Sequence, residues 1–187
     1  MTTSIEREVK LGFPSAAEAR HAVIGLGARP LRARRLQDDR LLDWPDGRLR
    51  EARCSVRVRQ EGDSALLTFK GPPQAATMKV REELETAVSD GTLLLRVLER
   101  LGLRVWFHYQ KYREEFEHHG VVVAIDETPI GTFVELEGDE QGIVQIAQTL
   151  GRAPEEFVLD SYRGLFVKAQ AAGRGDSATD MIFDTSP

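Results

Sequence analysis

Polar and apolar residues alternate from the start of the chain. Glu6, Glu8 and Lys10 share one parity, and Ile5, Val9 and Leu11 share the other. Successive strand side chains point to opposite faces, so 4–12 is predicted to be a strand with one charged face and one core face. The same period recurs at 54–60 and 65–70, a hairpin across Glu61-Gly62-Asp63-Ser64 that Gly71-Pro72-Pro73 brings to a stop. It returns at 79–88, then at 103–117 and 121–127 around a turn at Gly120. The last instance is 132–137, after Thr128-Pro129-Ile130-Gly131. A long extended stretch over about 31–44 ends at Pro45-Asp46-Gly47.

Helical periods fill the gaps. Ser15 is set to cap a helix, with Glu18 three residues later, an apolar face of Ala19, Ala22, Val23 and Leu26, and Gly27 as the stop. Asp90 caps another through about Leu101, and two more are expected at about 140–150 and 161–171. Few strand–helix–strand units appear, which favours antiparallel pairing, and eight strands suffice to close a small barrel. The expected fold is α+β: an eight-stranded antiparallel β-barrel with helices packed on its outside, occupying residues 1–171. The tail over 172–187 is small and polar and is expected to be disordered. Its Arg174-Gly175-Asp176 reads as a chance match to an adhesion tripeptide.

Composition narrows the function classes. The 187 residues are 41% hydrophobic and 29% charged, with 25 basic against 30 acidic side chains. That suits one soluble globular domain and argues against nucleic acid as a partner. The lone Cys54 excludes an internal disulfide, no apolar run is long enough for a membrane span, and no signal peptide is evident; the cytoplasm is the expected compartment.

The charges share faces strand by strand. Arg57 and Arg59 lie opposite Val56 and Val58, and Lys70 is in line with Thr68 and Leu66. Arg81, Glu83 and Glu85 share a face, as do Lys111 and Arg113, while Glu135 and Glu137 oppose Val134 and Leu136. Asp126 sits beside Ile125 on the preceding strand. Taken singly, each strand reads as a half-solvated one. Taken together, the opposing apolar faces need cover, and the helices can supply it only from outside. The charged faces then point inward, which is costly unless water, metal or ligand fills the interior. Converging Arg and Lys ask for a polyanion, and clustered carboxylates ask for a hard divalent cation such as Mg²⁺ or Mn²⁺.

These residues resemble the CYTH superfamily, or triphosphate tunnel metalloenzymes, over about residues 4–169. The Glu-x-Glu-x-Lys signature stands as Glu6, Glu8 and Lys10, the paired arginines as Arg57 and Arg59, and Leu-Thr-x-Lys-Gly as Leu67-Thr68-Phe69-Lys70-Gly71. Arg-x-Glu-x-Glu stands as Arg81, Glu83 and Glu85, and Lys-x-Arg as Lys111 and Arg113. The block from Ile125-Asp126-Glu127 through Gly131 to Glu137 follows the family pattern, as does Ser161-Tyr162, with Lys168 a late basic residue. The aromatic-Asp-Thr-Pro-Asp segment departs from it, reading Leu41-Leu42-Asp43-Trp44-Pro45-Asp46.

The resemblance implies a tunnel that grips a triphosphate-bearing small molecule with Mg²⁺ or Mn²⁺. Carried over, Glu6, Glu8, Glu135 and Glu137 bind metal, with Asp126 a further ligand or a group supporting them from behind. Lys10, Arg57, Arg59, Lys70, Arg81, Lys111, Arg113 and Lys168 bind phosphate. Lys10, Glu83 and Glu85 serve catalysis, the two glutamates by orienting water or a second ion. Hydrolysis of inorganic triphosphate, thiamine triphosphate or a nucleoside triphosphate is the leading expectation. A class IV adenylate cyclase and a non-catalytic polyphosphate sensor are the alternatives, and a homodimer stays open.

Other chemistry is thin. His108, His118 and His119 do not form a strand-face metal pair, and Cys54 reads as a packing residue. No phosphate-binding glycine loop or Gly-x-Ser-x-Gly elbow occurs. Trp44 and Trp106 read as core or rim residues, with stacking on a base the alternative.

Overall fold

Eight strands close on themselves, every neighbouring pair antiparallel. The computed structural model describes residues 4–173 and 179–184. In chain order the strands are β1 (Ser4–Phe13), β2 (Arg29–Asp43), β3 (Ser55–Glu61), β4 (Ser64–Lys70), β5 (Lys79–Val88), β6 (Arg104–His118), β7 (Val121–Thr128) and β8 (Gly131–Glu137). Around the barrel they run β1-β5-β4-β3-β2-β6-β7-β8. The helices are α1 (Ala16–Gly25), α2 (Arg48–Glu51), α3 (Gly91–Arg100), α4 (Glu140–Thr149) and α5 (Tyr162–Ala171). Ser15, Asp90, Asp139 and Ser161 each accept a first-turn N–H, at the starts of α1, α3, α4 and α5. Among the described residues no helix is long and apolar enough to cross a membrane.

The apolar parity of the strands faces outward, as expected. Val9, Leu11, Val121, Val123, Ile125, Val134 and Leu136 form a buried layer with Ala19 and Val23 of α1 and Ile143, Ile146 and Ala147 of α4. Gly142 lets α4 sit close, since a Cβ there would lie 2.7 Å from a Val121 methyl. A smaller layer joins Leu42, Val58 and Leu103 to Leu94, Leu95 and Leu98. With both layers outside the sheet, the charged parity is left to the interior.

α5 closes one end. Its Tyr162 and Phe166 pack on Phe107 and Tyr109 of β6 and on Phe133 of β8. The chain reaches that position through a two-hydrogen-bond bridge between Lys10 and Val158.

The tail corrects one expectation. Where disorder was expected, Met181 is buried in the α5 cluster, and its backbone N–H and C=O pair with His108 and Gln110. Phe183 lies 5.1 Å from the Tyr112 ring. Two apolar anchors amid small polar residues are enough to dock the segment, although average composition conceals them. Arg174-Gly175-Asp176 lies outside the described residues.

Candidate active site: the charged interior

The interior is a cavity of about 650 Å³. Of the residues expected there, Glu6, Glu8, Lys10, Arg57, Arg59, Lys70, Arg81, Glu83, Glu85, Lys111, Arg113, Glu135 and Glu137 all line it. Strand register explains the gathering. On β1, Glu6 and Glu8 face Arg81 and Lys79 of β5, while Glu8 and Lys10 face Glu137 and Glu135 of β8. Arg59 faces Asp39 of β2, Lys70 faces Glu83, and Thr68 faces Glu85.

Each of these interior bases lies against a carboxylate. Lys10 Nζ is 3.0 Å from both Glu8 and Glu135. Lys70 donates to Glu6 at 2.5 Å and is 3.1 Å from Glu83, and Arg81 donates to Glu6 at 3.1 Å. Arg59 grips Asp39 with two bonds of 2.8 and 3.2 Å. Arg57 donates to Thr68 at 3.1 Å, and Thr68 donates to Glu85 at 2.8 Å. Arg113 donates to Glu135 at 2.8 Å.

Protonation follows from burial set against these partners. Burial and Glu135 push the Glu8 carboxyl up, but Lys10, Lys79 and Lys70 outweigh them and hold it well below its ordinary value. Burial likewise opposes the charge on Lys10, and Glu135 and Glu8 reverse the effect, so its ammonium is held more firmly than usual. Lys111 drops to about 8 through burial and the neighbouring Arg113. Glu137 is the exception among the acids. Burial, then the charges of Glu135 and Glu6, push it up to about 7, and its carboxyl makes no ion pair or hydrogen bond among the described residues. Among the bases, Arg57 Nε is buried without a hydrogen-bond partner, its nearest acid being Asp39 at 3.4 Å.

Two expected residues lie elsewhere. Asp126 is fully buried behind the cavity wall. Its oxygens accept from Lys111 at 2.9 Å, from Arg113 at 2.7 and 2.6 Å, and from the Tyr162 hydroxyl at 2.5 Å. Its oxygens are thus engaged by two bases and a phenol, and Arg113 bridges it to Glu135. Lys168 is on the outer side of α5, 67% exposed and 2.7 Å from Asp160. Among the described residues no group of three or more His, Cys, Asp and Glu side chains is arranged to hold a metal ion as it stands.

Sequence reasoning missed several contributors. Lys79 lines the cavity, donates to Glu8 at 2.5 Å and is lowered by burial to about 8. One further step of the Arg81-Glu83-Glu85 alternation marks it. Asp39, wholly buried beneath Arg59, had no such signal, because Asp38 and Arg40 flank it with charge. Cys54 lines the rim of the cavity. His118 and His119 approach to 4.2 Å between ring centres because His119 leaves the strand in a left-handed turn, at φ 51°.

Comparison with known proteins agrees with this architecture. Residues 4–160 match the CYTH domain family model. A Methanocaldococcus jannaschii protein provisionally named an adenylate cyclase is 27% identical over 134 residues, covering 71% of this chain and 76% of that protein. A Vibrio parahaemolyticus structure with the same provisional name superposes with a TM-score of 0.76 at 19% identity, over 89% of this chain and 99% of its own. A Hippeastrum protein provisionally named an adenylyl cyclase, and described as having a dominant triphosphatase activity, gives 0.61 at 16% identity over 92% and 97%.

Proposed function

The chain belongs to the CYTH domain family, and from that premise we propose that it hydrolyses a triphosphate inside its barrel with the help of a divalent ion. One observation carries the reading. The same cavity holds a buried donor without a hydrogen bond, Arg57 Nε, and a carboxylate without an ion pair among the described residues, Glu137. An anion satisfies the first and a hard cation the second.

The donors suit Mg²⁺ or Mn²⁺ in kind, since Glu6, Glu8, Glu135 and Glu137 offer only carboxylate oxygens. Glu137, with the neighbouring Glu8 and Glu135, would hold the ion; when bound it supplies charge neutralisation and a more acidic water. The chain's own residues do the positioning. Arg57, Arg59 and Arg113 present guanidinium forks to phosphate oxygens, while Lys70 and Arg81 add charge from the β4–β5 side. As phosphate draws Lys70 and Arg81 away, Glu6 is relieved of its ion pairs, while Glu8 and Glu135 keep Lys10. Lys10, kept protonated by two carboxylates, stays as a fixed positive charge facing the transferred phosphoryl group. Asp126 and Tyr162 hold Arg113 and Lys111 in place. Glu83 and Glu85 orient the attacking water from β5. No covalent intermediate is required.

The name carried by the M. jannaschii relative favours a second reading, in which the same grip directs a ribose hydroxyl at the α-phosphorus. A passive polyphosphate sensor is disfavoured, because an anion binder has no use for the carboxylates. The deciding experiment offers inorganic triphosphate, thiamine triphosphate and ATP to the purified chain with Mg²⁺ or Mn²⁺, scoring phosphate, pyrophosphate and cyclic AMP. Phosphate release is expected; cyclic AMP with pyrophosphate would replace hydrolysis by cyclisation, and binding without turnover would make the chain a sensor.

A further inference from the structure

One rim of the cavity is not built for phosphate. Where β2 meets β6, Leu41 pairs with Phe107 and Leu42 with Val105, so Trp106 is an extra residue with no partner on β2. Such a bulge re-aims a side chain and puts two successive residues on one side of the sheet. Trp106 accordingly joins Phe107 on the inner side. Their ring centres are 6.0 Å apart, Trp106 packs on the cluster formed with α5, and it lines the cavity.

Arg50 lies over this indole, its guanidinium carbon 4.6 Å from the ring. The arginine is itself fixed. Asp43, 1% exposed, accepts from Arg50 Nε at 3.0 Å and from the backbone N–H of Arg50 at 3.1 Å, and its other oxygen takes the N–H groups of Leu49 and Trp44. A flat, rigid platform of indole and guanidinium is thus preformed. Leu41, Pro73 and Leu159 line the same cavity and give it apolar walls.

A bare inorganic triphosphate has nothing to bury against an indole, a proline and two leucines. The rim bases differ from the interior ones as well. Arg53 and Arg163 line the cavity yet make no ion pair among the described residues, whereas the bases on its strand walls all do. The whole cavity, at about 650 Å³, also falls in the range of roughly 300–1,000 Å³ that accepts a small organic molecule.

We propose that the Trp106–Arg50 rim is an organic-group subsite, which stacks a planar aromatic group esterified to the triphosphate. An aromatic triphosphate ester is then the preferred substrate class over inorganic triphosphate. The assignment rests on the triphosphate reading above, and the two fail separately in the test.

The test is calorimetric titration of the full chain in EDTA, where turnover is suppressed, with ATP, thiamine triphosphate, methyl triphosphate and inorganic triphosphate. At least one aromatic ester should bind wild type tighter than methyl triphosphate. That affinity ratio should fall roughly five- to a hundredfold in Trp106→Leu, the range that base–aromatic stacking supplies, and less in Trp106→Phe. Arg50→Ala, at a half-exposed position, should lower the ratio too and carries the test if Trp106→Leu does not fold. Binding of all four ligands with a ratio near one, or a ratio unmoved by these variants, overturns the subsite and leaves the triphosphate reading standing. Failure of wild type to bind any of the four, in EDTA and again with Ca²⁺ in its place, overturns both.

Discussion

Replacing Asp126 by Asn separates a structural anchor from a metal ligand. The change keeps the shape and removes the charge of a fully buried side chain that accepts from Lys111, Arg113 and Tyr162. Breaking a buried ion pair from one side costs about 3–5 kcal/mol, because the partner charge stays buried. Two features pull the figure to the low end. Arg113 keeps Glu135 at 2.8 Å, and Lys111, already lowered to about 8, can shed its proton. The expected loss is therefore about 3 kcal/mol, a large share of a typical domain stability of about 5–15 kcal/mol. With a urea slope of roughly 1–3 kcal/mol per molar, the midpoint should fall by about 1–3 M. The assay is urea unfolding followed by circular dichroism at neutral pH with EDTA present. Neutral pH is the right condition: the Asp126 carboxyl is held below its ordinary value by Arg113 and Lys111 against the cost of burial, so its contribution is complete there and disappears only in acid. Tyr162→Phe, losing a hydrogen bond to a charged group, should cost about 1.5–3 kcal/mol, and the double variant less than the sum. A loss below about 0.5 kcal/mol in EDTA, with a deficit appearing only when Mg²⁺ is added, would refute the anchor and restore Asp126 as a ligand.

Three further outcomes follow from the same geometry. With its carboxyl raised to about 7 from 4.5, Glu137 keeps a proton in the folded chain that the unfolded chain has lost. In EDTA, stability should therefore fall by about 3 kcal/mol as pH rises through that window, and Glu137→Gln should flatten the slope; an unchanged slope in urea titrations would show that Glu137 is not the acid responsible. Met181→Ala should cost about 2–4 kcal/mol on thermal unfolding, since the side chain is 1% exposed in the α5 cluster, and a neutral result would mean that the tail does not dock. Lys168→Ala, removing an exposed pair with Asp160, should change stability and triphosphate affinity by less than about 0.5 kcal/mol, and a larger loss of affinity would return Lys168 to the phosphate site.

Alternation made the interior legible. Glu8, Lys10, Arg57, Arg59, Glu135 and Glu137 each oppose an apolar residue that a helix covers, so period two carried both the barrel and its charged lining. What escaped was wherever that period gives no contrast or breaks. Asp39 is hidden among charges on both faces of β2, and Trp106 is turned inward by a bulge that local sequence does not announce. α2 is four residues long and organised by Asp43, which precedes it, rather than by a helical pattern of its own. Asp126 looked like another inward acid, and only the arrival of Tyr162 from α5 shows how fully its oxygens are engaged. Lys168 was open to correction from its own helix, since Tyr162, Phe166 and Ala169 define the buried stripe and Lys168 falls beside it.

The most direct test is diffraction from crystals of the protein with Mn²⁺ and a non-hydrolysable triphosphate, using the anomalous signal to place the metal. The account predicts a manganese peak inside the barrel at Glu137 with Glu8 or Glu135, and phosphates on Arg57, Arg59 and Arg113. Manganese at Asp126, or a triphosphate bound on the outer surface with the interior ion pairs undisturbed, would contradict it.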